Sequence, residues 1–203
     1  GKEDVWNKVL EDMNTVNELM TEKHPNLPKF ILGHSMGSFL TRYFINRYGD
    51  DFNGAILVGS AFEGTIRETG ALVLVKLNQL IHEPMHRSKF INDMFNNTMN
   101  SQIKNAEHRL AWVNSQDSEV KIYSEDPYCG FDMTDKFYID LLNALIHIND
   151  EENINNIGSI PLLILGGAED PVGNMGKDLV KLNDFYLNQG FHSELILYPG
   201  MRH

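Results

Sequence analysis

The chain has 203 residues, 42% of them hydrophobic and 22% charged, a composition typical of one globular domain with a continuous core. With a formal net charge of −11, the protein is not expected to bind nucleic acid, because phosphate binding needs clustered lysine and arginine. The single cysteine, Cys129, cannot form an intrachain disulfide. Together with an amino terminus that lacks an apolar leader, this predicts a cytoplasmic protein with at most peripheral membrane contact.

The first elements alternate between helix and strand. Apolar residues at helical spacing predict a surface helix over 2–23, which stops near Pro25. The apolar segment 28–33 predicts a buried strand, 36–49 a second helix and 53–60 another buried strand. Short, continuous apolar strands that alternate with helices indicate an α/β fold, with a parallel sheet and helices on both of its faces.

From about residue 62 to 159 the pattern is helical, and no strand is predicted. Apolar residues recur at helical spacing in four segments, 71–82, 85–96, 106–113 and 136–148. This stretch is far longer than a usual connection between elements of a sheet, so the sequence predicts a helical insertion.

The strand and helix pattern resumes after the insertion. Residues 160–167 read as a strand, 177–190 as a helix and 193–199 as a last strand. The sequence therefore predicts one domain over 1–203, with four parallel strands and a helical insertion between the second and the third.

The segment ILGHSMGSFL, residues 31–40, places Ser35 between two glycines where a predicted strand meets a helix. This Gly-x-Ser-x-Gly pattern is typical of a nucleophile on a tight, strained turn, where both glycines let neighbouring backbone approach. The backbone N–H of Met36, at the start of the helix, is then placed to bind a developing oxyanion. A plain tight turn is the alternative, which the flanking strand and helix disfavour.

A nucleophilic serine needs a base, and the base needs a carboxylate to orient it. Asp170 follows the third predicted strand and His203 follows the fourth. Because parallel strands end at the same edge of a sheet, both loops open beside Ser35. Asp170 could instead only initiate a turn, with Glu169 as the acid, and His203 could be a surface histidine. The order Ser35, Asp170, His203 is that of the α/β-hydrolase triad.

Four segments together carry a resemblance to a known family: GHSMGS, GGAEDPVG, the terminal YPGMRH and SEDPYCGFDMTDKFY in the insertion. They resemble the α/β-hydrolases of the monoacylglycerol lipase and lysophospholipase group, a serine aminopeptidase-type group, in a bacterial branch. The resemblance covers essentially the whole chain. It implies an α/β-hydrolase fold and a serine esterase, with Ser35 as nucleophile, Asp170 as orienting acid and His203 as base. It also implies a cap made from the insertion, and no cofactor or metal ion.

The sequence departs from that group at both ends. Members of the group have strands before the first helix and a second oxyanion donor on an early loop, and this sequence has neither. It also ends on the proposed base. We therefore expect residues 1–203 to be an incomplete α/β-hydrolase that, expressed alone, aggregates or hydrolyses esters barely above background.

The insertion and the nucleophile motif offer candidate substrate contacts. The apolar segments 71–81 and 137–146 favour a small, lipid-like acyl ester as substrate. His34, Arg109 and Trp112 are candidate substrate-binding residues, with ordinary packing or a solvated charge as the alternative.

Two other classes of function compete with an esterase. HEPMH, residues 82–86, fits the H-E-x-x-H motif of a zinc hydrolase, with His82 and His86 as ligands and Glu83 as base. Pro84 argues against it, because proline disrupts the helix that presents the two ligands, and no second motif supplies a convincing third ligand. A non-catalytic protein on the same scaffold is the second rival, since a fold does not dictate activity. The same triad could also serve a thioesterase or a peptidase.

Overall fold

A computed structural model describes residues 5–62, 65–83, 85–154 and 160–203. Parts of three sequence predictions therefore lie outside the described residues. These are the beginning of the first helix, Pro84 of the HEPMH motif and, in the predicted insertion, residues 63–64 and 155–159.

The described elements follow the predicted alternation of helices and strands. In chain order they are α1 (Val5–Lys23), β1 (Phe30–His34), α2 (Met36–Tyr48), β2 (Gly54–Val58), α3 (Thr65–Gln79), α4 (Lys89–Asn100), α5 (Asp117–Glu125), α6 (Asp135–Ile148), β3 (Leu162–Gly167), α7 (Lys177–Asn188) and β4 (Ser193–Tyr198). Of the helices described, none combines the length and the apolar composition that crossing a bilayer requires.

The four strands form one parallel sheet whose spatial order is the chain order, β1-β2-β3-β4. In the register, Gly33 pairs with Leu57, Leu57 with Ile164 and Ile164 with Leu195. The predicted parallel sheet is therefore confirmed. This topology brings the carboxyl ends of all four strands, and the loops that follow them, to one edge.

The main core lies between one face of the sheet and helices α2 and α7. Inward-facing side chains of β2 and β3 pack against Ile45 of α2 and against Leu179 and Leu182 of α7. On the opposite face, Ile56 and Leu163 are only partly buried. The two helices thus share one face, and a helical cover for the other face stays a prediction.

The helices between β2 and β3 differ in detail from the predicted ones. Segment 106–113 forms turns and a short 3₁₀ helix at Ala111–Val113 instead of an α-helix. Helix α5 was not predicted, because its sequence is mostly polar and Val120 is its only fully buried residue. Helix α4 begins later than predicted, since Ser88 caps it by accepting a hydrogen bond from the Ile91 N–H.

Arg42 of α2 is a fully buried cation that connects several elements. Its guanidinium donates to the Tyr186 hydroxyl (3.3 Å) and to the Ala61 carbonyl (3.0 Å). It also donates to the Ile148 carbonyl (2.9 Å) and to Oδ1 of Asn149 (2.8 Å). These acceptors are neutral, and the hydrogen bonds to them offset part of the cost of burying this charge. Arg42 links α2 to α7, to the end of α6 and to the segment after β2.

Arg42→Met is expected to lower the free energy of unfolding by about 2–4 kcal/mol, because buried carbonyl oxygens lose their donors while the packing volume is largely kept. Chemical denaturation followed by circular dichroism measures this change. The matched control is Arg47→Met on the same helix, whose exposed guanidinium donates to Oδ1 of Asn7 (2.9 Å). The control should change stability by at most about 0.5 kcal/mol. Equal losses in the two variants would contradict the structural role of Arg42.

Candidate active site

Ser35 lies in the one-residue turn between β1 and α2. Its backbone has φ 55° and ψ −124°, in the left-handed half of φ space that residues other than glycine rarely adopt. The Ser35 N–H donates to the Val58 carbonyl of β2 (2.9 Å). The Ser35 carbonyl accepts from the backbone N–H (2.8 Å) and the hydroxyl (2.6 Å) of Ser38. Hydrogen bonds on both sides therefore hold the strained turn in place.

The two glycines of the motif do not have the same role. A Cβ at Gly33 would lie 2.1 Å from the Gly37 carbonyl oxygen and 2.5 Å from Oγ1 of Thr41, so only glycine fits there. Apart from its chain neighbours and the backbone of its own helix, a Cβ at Gly37 would meet no atom within 4 Å. The expectation that both glycines are needed for close packing is therefore correct for Gly33 and wrong for Gly37 among the described residues.

Three side chains from separate loops at one edge of the sheet form a hydrogen-bonded chain. Nε2 of His203 lies 2.6 Å from Oγ of Ser35, and Nδ1 of His203 lies 2.8 Å from Oδ2 of Asp170. The side chains of His203 and Asp170 are 4% and 0% exposed. When Nδ1 carries the proton that the carboxylate accepts, Nε2 is free to accept the proton of the serine hydroxyl.

The loop after β3 fixes the Asp170 carboxylate. Oδ1 of Asp170 accepts a hydrogen bond from the Val172 N–H (2.8 Å), as in an Asx turn, and this leaves Oδ2 for His203. Its main-chain carbonyl accepts from the Met175 N–H (2.8 Å). Forming a turn and orienting His203 are therefore compatible roles of Asp170, whereas Glu169 is exposed.

The segment that ends in His203 is tied to the loop before it and to the insertion. The Met201 carbonyl accepts from the Glu169 N–H (3.0 Å). Nη1 of Arg202 donates to the carbonyls of Ala111 (2.8 Å) and Asn114 (3.0 Å). Arg202 thus connects the backbone next to His203 to the segment around the 3₁₀ helix.

Arg202→Gln is expected to lower kcat for an ester substrate by about tenfold to a hundredfold with little change in KM, because a shift of His203 by a fraction of an ångström weakens proton transfer. Steady-state kinetics measure the split between kcat and KM. Arg202→Lys keeps a donor and should restore part of kcat. The control is Arg87→Gln in the insertion, because Arg87 is exposed to solvent and also donates a hydrogen bond to a backbone carbonyl, that of Asp132. A purely structural role of Arg202 would lower stability and leave kcat per folded molecule unchanged.

Two of the predicted substrate contacts lie beside the triad. The rings of His34 and Trp112 have centroids 4.8 Å and 5.4 Å from that of His203. Partial burial and the neighbouring His203 lower the pKa of His34 below its usual value, although Asp170 opposes this shift. His34 is therefore mainly neutral at pH 7, and its ring lies beside that of His203.

Hydrogen bonds hold Trp112 in place, and Arg109 is engaged within the insertion. The Trp112 indole Nε1 donates to Oδ1 of Asn96 (2.9 Å). Arg109 pairs with Asp132 (2.6 Å) and approaches Asp93 (3.4 Å). A substrate contact by Arg109 stays a prediction, because both of these carboxylates already engage its guanidinium.

The Met36 N–H is the first of α2. The first N–H groups of a helix have no intrahelical acceptor, and the helix dipole favours negative charge at this end. The Met36 N–H therefore lies next to Ser35 at this end of the helix, and its role as an oxyanion donor stays a prediction. The expectation that a second donor lies outside residues 1–203 stays a prediction.

Two residues at the site were not identified from the sequence, Gly59 and Arg202. Gly59 follows β2 with φ 56°, and a Cβ there would lie 3.0 Å from Cε1 of His203. The available signal for Gly59 is a glycine directly after an apolar strand, at the edge of the sheet where the triad was expected. Arg202 had no signal other than its position beside His203.

Comparisons with known proteins identify the family. The family model described as serine aminopeptidase, S33, matches residues 1–203. No curated protein matches the sequence significantly.

Among solved structures, the chain is similar to a thermostable carboxyl esterase from Bacillus coagulans, with a TM-score of 0.86 and 24% identity over 96% of this chain and 63% of that one. It is also similar to a monoacylglycerol lipase from Paleococcus ferrophilus (TM-score 0.69, 15% identity, 98% of this chain and 66% of that one). A third similar structure is a monoglyceride lipase from Saccharomyces cerevisiae (TM-score 0.67, 18% identity, 98% and 61%).

The chain spans less than two thirds of the length of these three structures. Their similarity confirms the predicted α/β-hydrolase fold. With a family model matched along its entire length, the chain belongs to the serine aminopeptidase S33 family of α/β-hydrolases.

Proposed function

We propose that the protein is a carboxylic ester hydrolase that forms an acyl-enzyme on Ser35. One observation carries this proposal, the hydrogen-bonded chain from Oγ of Ser35 through His203 to the buried Asp170 carboxylate. Serine hydroxyls are weak nucleophiles unless a base accepts the proton, and this arrangement supplies the base and its orienting carboxylate. Membership of a hydrolase family supports the same conclusion.

In the first step Oγ of Ser35 attacks the ester carbonyl carbon while Nε2 of His203 takes the hydroxyl proton. The carbonyl π electrons move to the oxygen, and this oxyanion accepts a hydrogen bond from the Met36 N–H. The electrons then return, the ester C–O bond breaks, and His203 gives its proton to the departing alkoxide. The alcohol leaves, and the acyl group remains on Ser35.

In the second step water replaces the alcohol and the same path runs in reverse. Nε2 of His203 takes a proton from water, the hydroxide oxygen bonds to the acyl carbon, and the bond to Ser35 breaks. The proton returns to Oγ of Ser35, and the carboxylic acid is released. Asp170 stays ionised throughout, holding the Nδ1 proton and stabilising the imidazolium.

The proposed substrate is an ester with a lipid-like acyl chain, of monoacylglycerol or lysophospholipid type. Helix α3 supports this choice, because Val73 (51%), Leu74 (38%) and Leu77 (56%) are exposed. Exposed apolar side chains grouped on one element are typical of surfaces that bind apolar ligands. We therefore propose that the helical insertion forms a cap that selects the acyl chain.

Covalent labelling combined with a substrate panel tests this function. A fluorophosphonate probe should label Ser35, as identified by mass spectrometry of the peptide. Monoacylglycerol and lysophospholipid with medium or long chains should be hydrolysed with higher kcat/KM than acetyl esters. Absence of both labelling and turnover in the full-length protein would favour the non-catalytic scaffold. Faster cleavage of an aminoacyl p-nitroanilide than of any ester would make the protein a peptidase.

A further inference from the structure

A pair of histidines lies outside the triad, in the turn that follows α3. Because α3 ends at Gln79, His82 and His86 are not on a helix. The His82 N–H donates to the Gln79 carbonyl (3.3 Å) and the His86 N–H to the Glu83 carbonyl (2.9 Å). The two imidazole rings stack, with centroids 4.0 Å apart and planes at 7°. The turn therefore brings the two rings together without the helix that the sequence argument against a metal site assumed.

A buried carboxylate, Asp135 at the start of α6, completes the cluster. Its side chain is 0% exposed, and its Oδ2 lies 3.2 Å from Nδ1 of His86. The same oxygen accepts from Nδ2 of Asn78 (2.8 Å), and Oδ1 accepts from the Ser88 N–H (3.3 Å). Among the described residues, the ion pair of Asp135 is with His86, which is charged only when protonated. Buried carboxylates are normally paired with a cation or coordinate a metal ion.

We propose that His82, His86 and Asp135 bind one divalent transition-metal ion, and zinc fits best. Their ligand atoms lie within 4.8 Å of one another. The 3.2 Å between Nδ1 of His86 and Oδ2 of Asp135 is close to the separation of about 3.3 Å between two ligands of a tetrahedral zinc ion. Two imidazoles and one carboxylate suit zinc, whereas magnesium and calcium prefer oxygen ligands alone.

The environment of the cluster supports ligation. The donors Asn78 and Ser88 hold the carboxylate in a fixed orientation, as the outer partners of metal ligands commonly do. The His82 ring is exposed, and its Nδ1 lies 3.0 Å from the Asn78 carbonyl oxygen. Ligation through Nε2 would keep that hydrogen bond, and ligation through Nδ1 would replace it. A fourth position then faces solvent and is available to a water molecule.

The metal ion would stabilise the insertion and would take no part in ester hydrolysis. It connects the turn after α3 to the first turn of α6, two helices that also meet through Val75 and Tyr138 in a second apolar cluster. The three ligands lie on elements separate from those that carry the triad. Because the ion binds the folded insertion, its free energy of binding adds to stability.

Zinc titration of the EDTA-treated full chain tests this site, with a competing chromophoric chelator and thermal unfolding as readouts. We expect one equivalent to bind with micromolar affinity and to raise Tm. His82→Asn and His86→Asn should each weaken binding by at least about tenfold and abolish the rise in Tm. The matched control is His108→Asn, an exposed histidine of the same insertion, which should bind zinc as the unaltered protein does.

Two outcomes would overturn the proposal. One is equal zinc affinity in the unaltered protein and both histidine variants, which would mean an adventitious ion only. The other is no binding by the unaltered protein. Asp135→Asn extends the test to the carboxylate, and the histidine variants decide if that variant does not fold. None of these readouts uses ester hydrolysis, so the outcome is independent of the proposed function.

Discussion

In the full-length protein, Ser35→Ala is expected to lower kcat/KM for a short acyl ester by about 10⁴- to 10⁶-fold, because it removes the only atom that forms the acyl-enzyme. The change deletes one oxygen and keeps the backbone bonds from Ser35 to Val58 and Ser38. The fold should therefore survive. Hydrolysis of p-nitrophenyl butyrate, followed by absorbance, measures the loss, and the residual rate should come from substrate binding and the Met36 donor.

The matched control for this variant is Ser124→Ala on α5. Its hydroxyl is exposed and donates to the Lys121 carbonyl (2.9 Å). Its replacement should leave kcat/KM unchanged, because no part of the triad depends on it. Activity in Ser35→Ala equal to that of this control would end the serine-hydrolase proposal.

Much of the sheet was predictable because its signals are local. Buried parallel strands are short, continuous apolar runs. All four predicted strands are present, and each of their ends lies within two residues of the predicted end. Gly33 and Ser35 marked the turn where β1 meets α2, since the requirement for glycine there is visible in the motif. The strand ends then placed Asp170 and His203 at the same edge as Ser35.

The insertion was harder to predict because its elements depend on tertiary contacts. Helix α5 has a single buried residue, Val120, so little apolar periodicity marks it. Segment 106–113 has apolar residues at helical spacing, yet its backbone is held by side chains elsewhere in the sequence. Oδ1 of Asn100 accepts from the Trp112 N–H (3.1 Å), and Arg202 takes the carbonyls of Ala111 and Asn114. Contacts across such sequence distances leave no local pattern.

The same reason explains which parts of the candidate site were missed. Arg202 at this site, like Arg42 in the core, acts through partners that are distant in the sequence. His82 and His86 were named as possible ligands, but their partner Asp135 is equally distant. The proline argument at HEPMH correctly excludes a helical motif. That argument does not address a turn in which the two rings stack on each other and one of them bonds a buried carboxylate from another helix.

Asp170→Asn is expected to lower kcat by about 10⁴-fold while the fold is kept. The amide preserves the shape of the side chain, and its oxygen can still accept from the Val172 N–H. Its NH₂ group then faces Nδ1 of His203 and donates to it, where the carboxylate accepted. This favours the imidazole tautomer with the proton on Nε2, which cannot take the proton of Ser35. The loss should therefore appear in kcat, with KM little changed.

Glu169→Gln is the matched control for the loss of one carboxylate from the same loop. Glu169 is exposed, and its backbone N–H, which the substitution keeps, makes the bond to the Met201 carbonyl. The Glu169→Gln variant should keep the kcat of the unaltered protein, although it removes one negative charge, as Asp170→Asn does. Steady-state kinetics on both variants distinguish control of the His203 tautomer from a general electrostatic effect, since each substitution removes one negative charge. A large loss in Glu169→Gln with little change in Asp170→Asn would transfer the role of orienting acid to Glu169, because only the group that bonds Nδ1 can set the tautomer of His203.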